Sequence, residues 1–381
     1  MGKYFENLKN WKTALKIVGL ASTIVTSSLL YNYLKKEEPI PENTKKVFMY
    51  TMKVANDNET SKYLLREFPI GNSDVFVPAF YEFKKDKDNE PMYTQRVSQR
   101  SIDVVVDEVK RQNKQIMPYI YCQNDKSKIL EKILLKPDES IKDIKESFEK
   151  QEQLGNKYDG LIIDYESGTF NEEEKSKYGD LLVNYMNKIK KEFGEKYKIG
   201  IAVGMQFSEK GFFNYKELGK IVDYVHIMCY DYTSPDLPPG LPNEKLIDVL
   251  DYASKTIPKE KITILFASYA TRWTKKQGEN KPKKHVNFSE GIEKELKKDW
   301  GFVGRNQGEL EFRRRIKNKK GTFNQKYFTF DKKTFEDRFK ILEQYSIVNA
   351  GIFQHVVDRK ITDRHMMIYT PLNTWRNTKS D

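Results

Sequence analysis

The stretch Tyr158-Asp159-Gly160-Leu161-Ile162-Ile163-Asp164-Tyr165-Glu166 decides how the chain is read. Its apolar centre reads as a buried strand that delivers two carboxylates to one place. Asp164 and Glu166 lie two residues apart, so on a strand both point to the same side, with Ile162 beneath them. Two carboxyl groups held close in a dry setting cannot both ionise cheaply, which pushes one towards proton donor and the other towards acceptor. An isolated Asp-Tyr-Glu also occurs where a strand simply enters a polar loop, so its meaning depends on the rest of the chain.

Working outward, apolar strand-like runs alternate with amphipathic stretches, the signature of parallel strands joined by crossover helices. Eight strands are predicted: Val47 to Val54, Asp74 to Phe83, Gln115 to Cys122, Gly160 to Tyr165, Ile199 to Met205, Tyr224 to Tyr230, Ile262 to Tyr269 and Val348 to His355. Apolar spacings of three and four predict helices over 100–113, 138–154, 171–194, 214–221, 243–256 and 333–346. Eight strands with mostly helical connections predict an α/β fold, a TIM (β/α)8 barrel, over an open sheet. The Lys-, Arg- and Gly-rich segment 274–329 breaks the rhythm between strands seven and eight, and it predicts a small β-rich insertion beside the barrel mouth. A short helix and tail are expected after Asp358.

Lysines at 3, 9, 12 and 16 precede a mostly apolar stretch from Ile17 to about Leu34, which Lys35, Lys36, Glu37 and Glu38 stop. Residues 1–36 therefore read as a signal peptide or, in the absence of a clean small-x-small cleavage site, an uncleaved membrane anchor. Residues 37–44 form a linker and 45–381 the barrel, which is expected outside the cytoplasm, secreted or anchored to the membrane.

The 381 residues carry a net charge of +12, read as lysine scattered over a solvated surface. A weaker reading is attraction to anionic glycans, wall polymers or lipid head groups. Basic tracts interleaved with aromatics are missing, which argues against nucleic acid. Cys122 and Cys229 each sit in an apolar strand, outside any disulfide framework or zinc spacing, and the four histidines are scattered, so no metal is expected. No Gly-rich phosphate fingerprint follows any strand, and no cofactor is implied.

Barrel enzymes place their chemistry at the carboxyl ends of the strands. Here those ends offer Tyr81 on strand two, Met205 and Gln206 on five, Met228, Tyr230 and Asp231 on six, Tyr269 and Trp273 on seven, and Gln354 and His355 on eight, facing Asp164 and Glu166 on four. Aromatic faces mixed with amides and acids suit a pyranose ring, whose C–H faces stack while its hydroxyls hydrogen-bond. Paired carboxylates are also how glycoside hydrolysis is run.

With these residues the chain resembles glycoside hydrolase family 18, the chitinase and endo-β-N-acetylglucosaminidase family, over about 45 to 358. The family signature Asp-Gly-x-Asp-x-Asp-x-Glu is matched by Asp159, Gly160, Asp164 and Glu166, and the pattern Met-x-Tyr-Asp by Met228 to Asp231. The resemblance implies retaining hydrolysis in which the substrate's own 2-acetamido oxygen attacks the anomeric carbon. It makes Glu166 the general acid and base, Asp164 the group that orients the acetamide, and Tyr230 a donor to the acetamide carbonyl, with Asp231 binding the sugar or holding the surroundings of Tyr230. Asp159 and Met228 of these motifs, together with Tyr81, Gln206, Tyr269, Trp273 and His355 at the strand ends, are the expected substrate contacts. Three departures stand out: Ile162 replaces the signature's acid beneath Asp164, Tyr119 and Tyr121 occupy the place of a Ser-x-Gly-Gly run, and His355 aligns with a sugar-stacking tryptophan. They motivate an alternative, a lectin-like barrel that binds glycans with weak turnover or none.

Overall fold

The structure is a computed structural model, and it describes residues 45–51, 73–123, 128–166, 170–209, 211–231, 241–287, 289–354 and 363–378. The segment expected as an anchor, the linker and His355 lie outside the described residues. No helix among the described residues is long and apolar enough to cross a membrane.

The strands are β1 (Lys46–Thr51), β2 (Val75–Pro78), β3 (Tyr81–Lys85), β4 (Pro91–Gln95), β5 (Gln115–Ile116), β6 (Tyr119–Gln123), β7 (Gly160–Glu166), β8 (Lys198–Gly204), β9 (Tyr224–Met228), β10 (Ile262–Ala267) and, after an insertion, β16 (Asn349–Gln354). Their order in one sheet is β4-β3-β6-β7-β8-β9-β10-β16-β1-β2-β5. Every pair is parallel except the β3–β4 hairpin. Strands β2 and β3 are one barrel stave broken at Ala79 and Phe80, and β5 and β6 another broken at Met117 and Pro118. Because β2 pairs with β5 while β3 pairs with β6, the two ends of the sheet meet and the sheet curls into a TIM-barrel-like ring.

The helices are α1 (Gln99–Arg111), α2 (Ile129–Leu135), α3 (Pro137–Gln153), α4 (Glu172–Phe193), α5 (Tyr215–Ile221), α6 (Asn243–Thr256), α7 (Ser289–Leu296), α8 (Lys332–Gln344) and α9 (Asp363–Asn377). Local chemistry sets several of their ends. The Ser98 side chain caps α1 and Pro137 opens α3, where a missing N–H costs nothing. Asn171 and Glu174 close a reciprocal capping box on α4. The segment after Asp358, expected to hold a short helix, instead carries α9 over fifteen residues, and α9 buries Ile368, Tyr369, Leu372 and Trp375.

Alternation along the staves sorts side chains into two cores. An outer shell between barrel and helices includes Ile120, Cys122, Leu161, Ile163, Tyr165, Ile201 and Phe266. The inner core includes Phe48, Tyr50, Tyr119, Ile162, Ala202, Tyr224 and Leu265. Space inside is tight: a Cβ on Gly351 would lie 2.3 Å from the Leu265 side chain.

Between β10 and β16 the chain builds a five-stranded antiparallel sheet in the order β12-β11-β15-β14-β13. Its strands are β11 (Ala270–Lys276), β12 (Lys283–Asn287), β13 (Gly301–Asn306), β14 (Glu309–Asn318) and β15 (Gly321–Thr329). The insertion therefore begins at Ala270, four residues before the expected 274, because strand pairing restarts directly after β10. It is tied to α8 by the buried pair of Arg338 with Glu309, 2.7 Å apart, and by Arg305 holding both carboxylate oxygens of Asp331, the residue that caps α8.

Candidate active site

The carboxyl ends of the staves enclose a cavity of about 380 Å³ lined by Tyr119, Tyr121, Asp164, Glu166, Met228, Tyr230, Asp231, Tyr269, Val286 and Phe353. Strand β7 brings the two acids there because it is hydrogen-bonded on both sides. Asp164 stands level with Tyr121 on β6 and with Ala202 on β8, and Glu166 lies one inward step beyond it. Ala202 is small, which leaves the Asp164 side uncrowded.

Burial is the dominant force on both acids. Asp164 is 8% exposed, and its Oδ1 is buried without a hydrogen-bond partner among the described residues. Desolvation first, then the neighbouring Glu166 charge, push its carboxyl well above the usual range. Glu166 is also raised, by burial first and by Asp231 second. An ionised carboxylate would be costly here, and a neutral carboxylic acid can donate a hydrogen bond to a ligand. Beneath Asp164, Ile162 belongs to the dry inner core. Next to Ile162 stands His226, fully buried, with neither ring nitrogen hydrogen-bonded among the described residues and its pKa pushed down to about 3 by desolvation.

Tyr230 forms the side wall. Its ring stacks on Phe353 at 5.2 Å between centroids and meets Tyr269 edge-on at 6.3 Å. Its hydroxyl is pushed up by burial and by the Asp164 charge, so the group is a phenol and a donor. Asp231 ends the wall in the left-handed backbone region, at φ 60°, a conformation Asp tolerates better than most residues. Its carboxylate accepts from Lys284 of β12 at 2.6 Å, so the insertion closes one side of the mouth.

Several expected sugar contacts lie elsewhere. Asp159 sits at the opposite, amino-terminal end of its stave, where it accepts from the Ile116 N–H at 2.7 Å and from Lys110 Nζ at 2.6 Å and so fixes the strand start. Five residues of strand, about 16 Å, separate it from Asp164. Tyr81 faces the helices, bonded to the Tyr158 hydroxyl at 2.9 Å and stacked on Tyr93. The break at Ala79–Phe80 interrupts alternation, and both Phe80 and Tyr81 join the outer shell. Gln206 spends its amide on the backbone N–H and carbonyl of Phe213, closing the loop after β8. Trp273 lies on the insertion sheet, 8% exposed and outside the cavity lining. Met228 and Tyr269 do line the cavity. Tyr119, Tyr121 and Phe353 were legible as inward positions by alternation, whereas Val286 had no signal, because nothing in sequence places β12 over the mouth.

The family model for Glycosyl hydrolases family 18 matches residues 46–358. The chain belongs to this family and is a glycoside hydrolase. No curated protein matches it. Among solved structures it is similar to chitinase from Chromobacterium violaceum ATCC 12472, with TM-score 0.66 and 13% identity, covering 88% of this chain and 100% of that one. It is similar also to the Bacillus cereus spore cortex-lytic enzyme SleL, with TM-score 0.64 and 16% identity over 88% of this chain and 74% of that one. A third neighbour is the class V chitinase from Nicotiana tobaccum, with TM-score 0.64 and 14% identity over 89% of this chain and 100% of that one. A variant of that plant enzyme was solved in complex with NAG4.

Proposed function

We propose that the chain hydrolyses β-linked glycans containing N-acetylglucosamine with retention, using the substrate's acetamide as the nucleophile. The observation that carries this reading is the meeting of Asp164, Glu166 and Tyr230 in one cavity, with a buried Asp164 oxygen that has no protein partner among the described residues.

In the first step Glu166 gives its proton to the glycosidic oxygen as the bond to the anomeric carbon breaks. The acetamido carbonyl oxygen forms the new bond to that carbon, making a cyclic oxazolinium, and the aglycone leaves. Asp164, kept neutral by burial over Ile162, donates to or orients the acetamide, and the Tyr230 phenol donates to its carbonyl oxygen. In the second step Glu166, now a carboxylate, takes a proton from water as the water oxygen attacks the anomeric carbon and the acetamide is released. Fixed donors aimed at the developing charge stabilise both transition states. Aromatic walls from Tyr121, Tyr230, Tyr269 and Phe353 suit the apolar faces of the ring.

The test is release of a chromophore from short N-acetylglucosamine oligomers. Glu166→Gln keeps the shape of the side chain and removes the proton, and it is expected to lower kcat by about 10²–10⁴-fold. Equal rates for the two proteins would remove the proposal. Binding of oligomers by both proteins without turnover would leave the barrel as a lectin.

A further inference from the structure

Charge is shared unevenly along the chain. Residues 270–329 hold seventeen Lys and Arg against seven Asp and Glu, so ten of the twelve net positive charges fall in the insertion. The rest of the protein is close to neutral, because the Lys and Arg scattered along it are matched by Asp and Glu.

The antiparallel register sorts these charges by face, because directly opposed residues point the same way. One row crosses four strands as Lys284, Trp273, Lys326 and Arg313. The next row outward holds Lys275, Asn324 and Arg315, and beyond it Thr322 stands opposite Lys317. The row on the other side, with Val286 at its start, is buried at Thr271, Phe328 and Glu311. This face is the one turned to the active-site cavity, since Val286 lines the cavity and Lys284 holds Asp231. The reverse face is covered: Arg314 lies 4.1 Å over the Trp300 ring, and Arg272 pairs with Glu295 of α7.

Lys275, Asn324, Arg315 and Lys317 are exposed. None of the three cations among them makes an ion pair with a described residue. Like charges gathered on one face repel one another unless an anion lies across them. We propose that this face is the outer binding surface for the same glycan whose acetamido sugar occupies the cavity, and that the glycan is anionic, a chain of N-acetylhexosamines bearing carboxylates. This rests on the function proposed above and names its substrate class. Continuity with the cavity wall through Lys284 and Val286 favours a chain that is already engaged there. A lipid surface would call for protruding apolar side chains among the cations, and the exposed Phe302 and Val303 sit instead on the far edge strand β13. Single-stranded nucleic acid would call for exposed stacking rings, and Trp273 is buried in its row.

The full chain would be assayed on three substrates: a bacterial wall glycan carrying N-acetylmuramic carboxylates, the same glycan with those carboxyls reduced to alcohols, and a short neutral N-acetylglucosamine oligomer. Wild type is expected to prefer the intact glycan in a salt-sensitive way. A triple variant, Lys275→Glu with Arg315→Glu and Lys317→Glu, is expected to raise KM on the intact glycan about tenfold at unchanged kcat, the behaviour of steering charges outside the reacting centre. Rates on the oligomer and the reduced glycan should stay as they were. Equal use of intact and reduced glycan by wild type, or an unchanged KM in the variant, overturns the proposal. So does loss of binding to phosphatidylserine vesicles with glycan affinity retained, which would give the face to lipid. If none of the three substrates is cleaved, the catalytic reading fails, and co-sedimentation with insoluble intact or reduced glycan still decides this one: a preference for the intact form that the variant loses supports it, and no preference overturns it.

Discussion

At the scale of single residues, the acid pair is tuned by its surroundings more than by its own chemistry. Burial raises Glu166 most, and the Asp231 charge raises it further. A raised pKa keeps the proton on to higher pH, so a general acid of this kind stays competent above the ordinary carboxylate range and fails as pH climbs through its own value. Asp231→Asn removes one raising influence and leaves the Lys284 cation without its partner, and both changes favour ionised Glu166. The high-pH limb of kcat/KM is therefore expected to move to lower pH, measured on a neutral oligomer, while the backbone keeps a residue that accepts a φ of 60°. A limb that stays put or moves to higher pH would count against the assigned acid. The acid pair was legible because its period-two spacing needs only a strand. Asp159 came in with the family signature, although its place before Gly160 already puts it at the amino end of the strand. Tyr81 was misplaced because the break at Ala79–Phe80 depends on pairing partners far along the chain.

At the scale of elements, the insertion is held to the barrel by buried charge. Arg338, 1% exposed, donates to Glu309 and to the Leu241 carbonyl and lies against the rings of Phe266 and Phe335. Removing one partner of such a pair leaves the other desolvated. Arg338→Met is expected to cost about 3–5 kcal/mol, read as a lower urea midpoint, and Arg338→Met with Glu309→Gln should recover part of it. A midpoint unchanged by the single substitution would show that the pair contributes nothing net. Helices were legible through apolar spacing and caps such as Ser98 and Asn171. The register of the insertion was not, because its strands are mostly charged and carry little alternation of hydrophobicity for a sequence to display.

At the scale of the molecule, eight staves and their crossovers were legible because each stave is a run of apolar residues between turn signals. Closure was therefore expected, but its route was not, because it runs through the double break of the second and third staves, where β2 and β3 choose different neighbours. The insertion shares the barrel's contacts through Arg338, Asp331 and Lys284, so one cooperative unit is expected. Tryptophan fluorescence, which reports Trp273 and Trp300 in the insertion and Trp375 in α9 beside Trp11 outside the described residues, should change at the same urea concentration as far-UV circular dichroism. Separate midpoints would mean that the inserted sheet unfolds on its own.

Cys122 and Cys229 lie in the outer shell at the third and sixth staves, with β7 and β8 between their strands. Three inter-strand steps, about 14 Å, keep their backbones well beyond the reach of a disulfide. Oxidising surroundings thus have no bond to make inside the native barrel, and a crosslink between these two sulfurs would be a record of chains that had come apart before they were trapped.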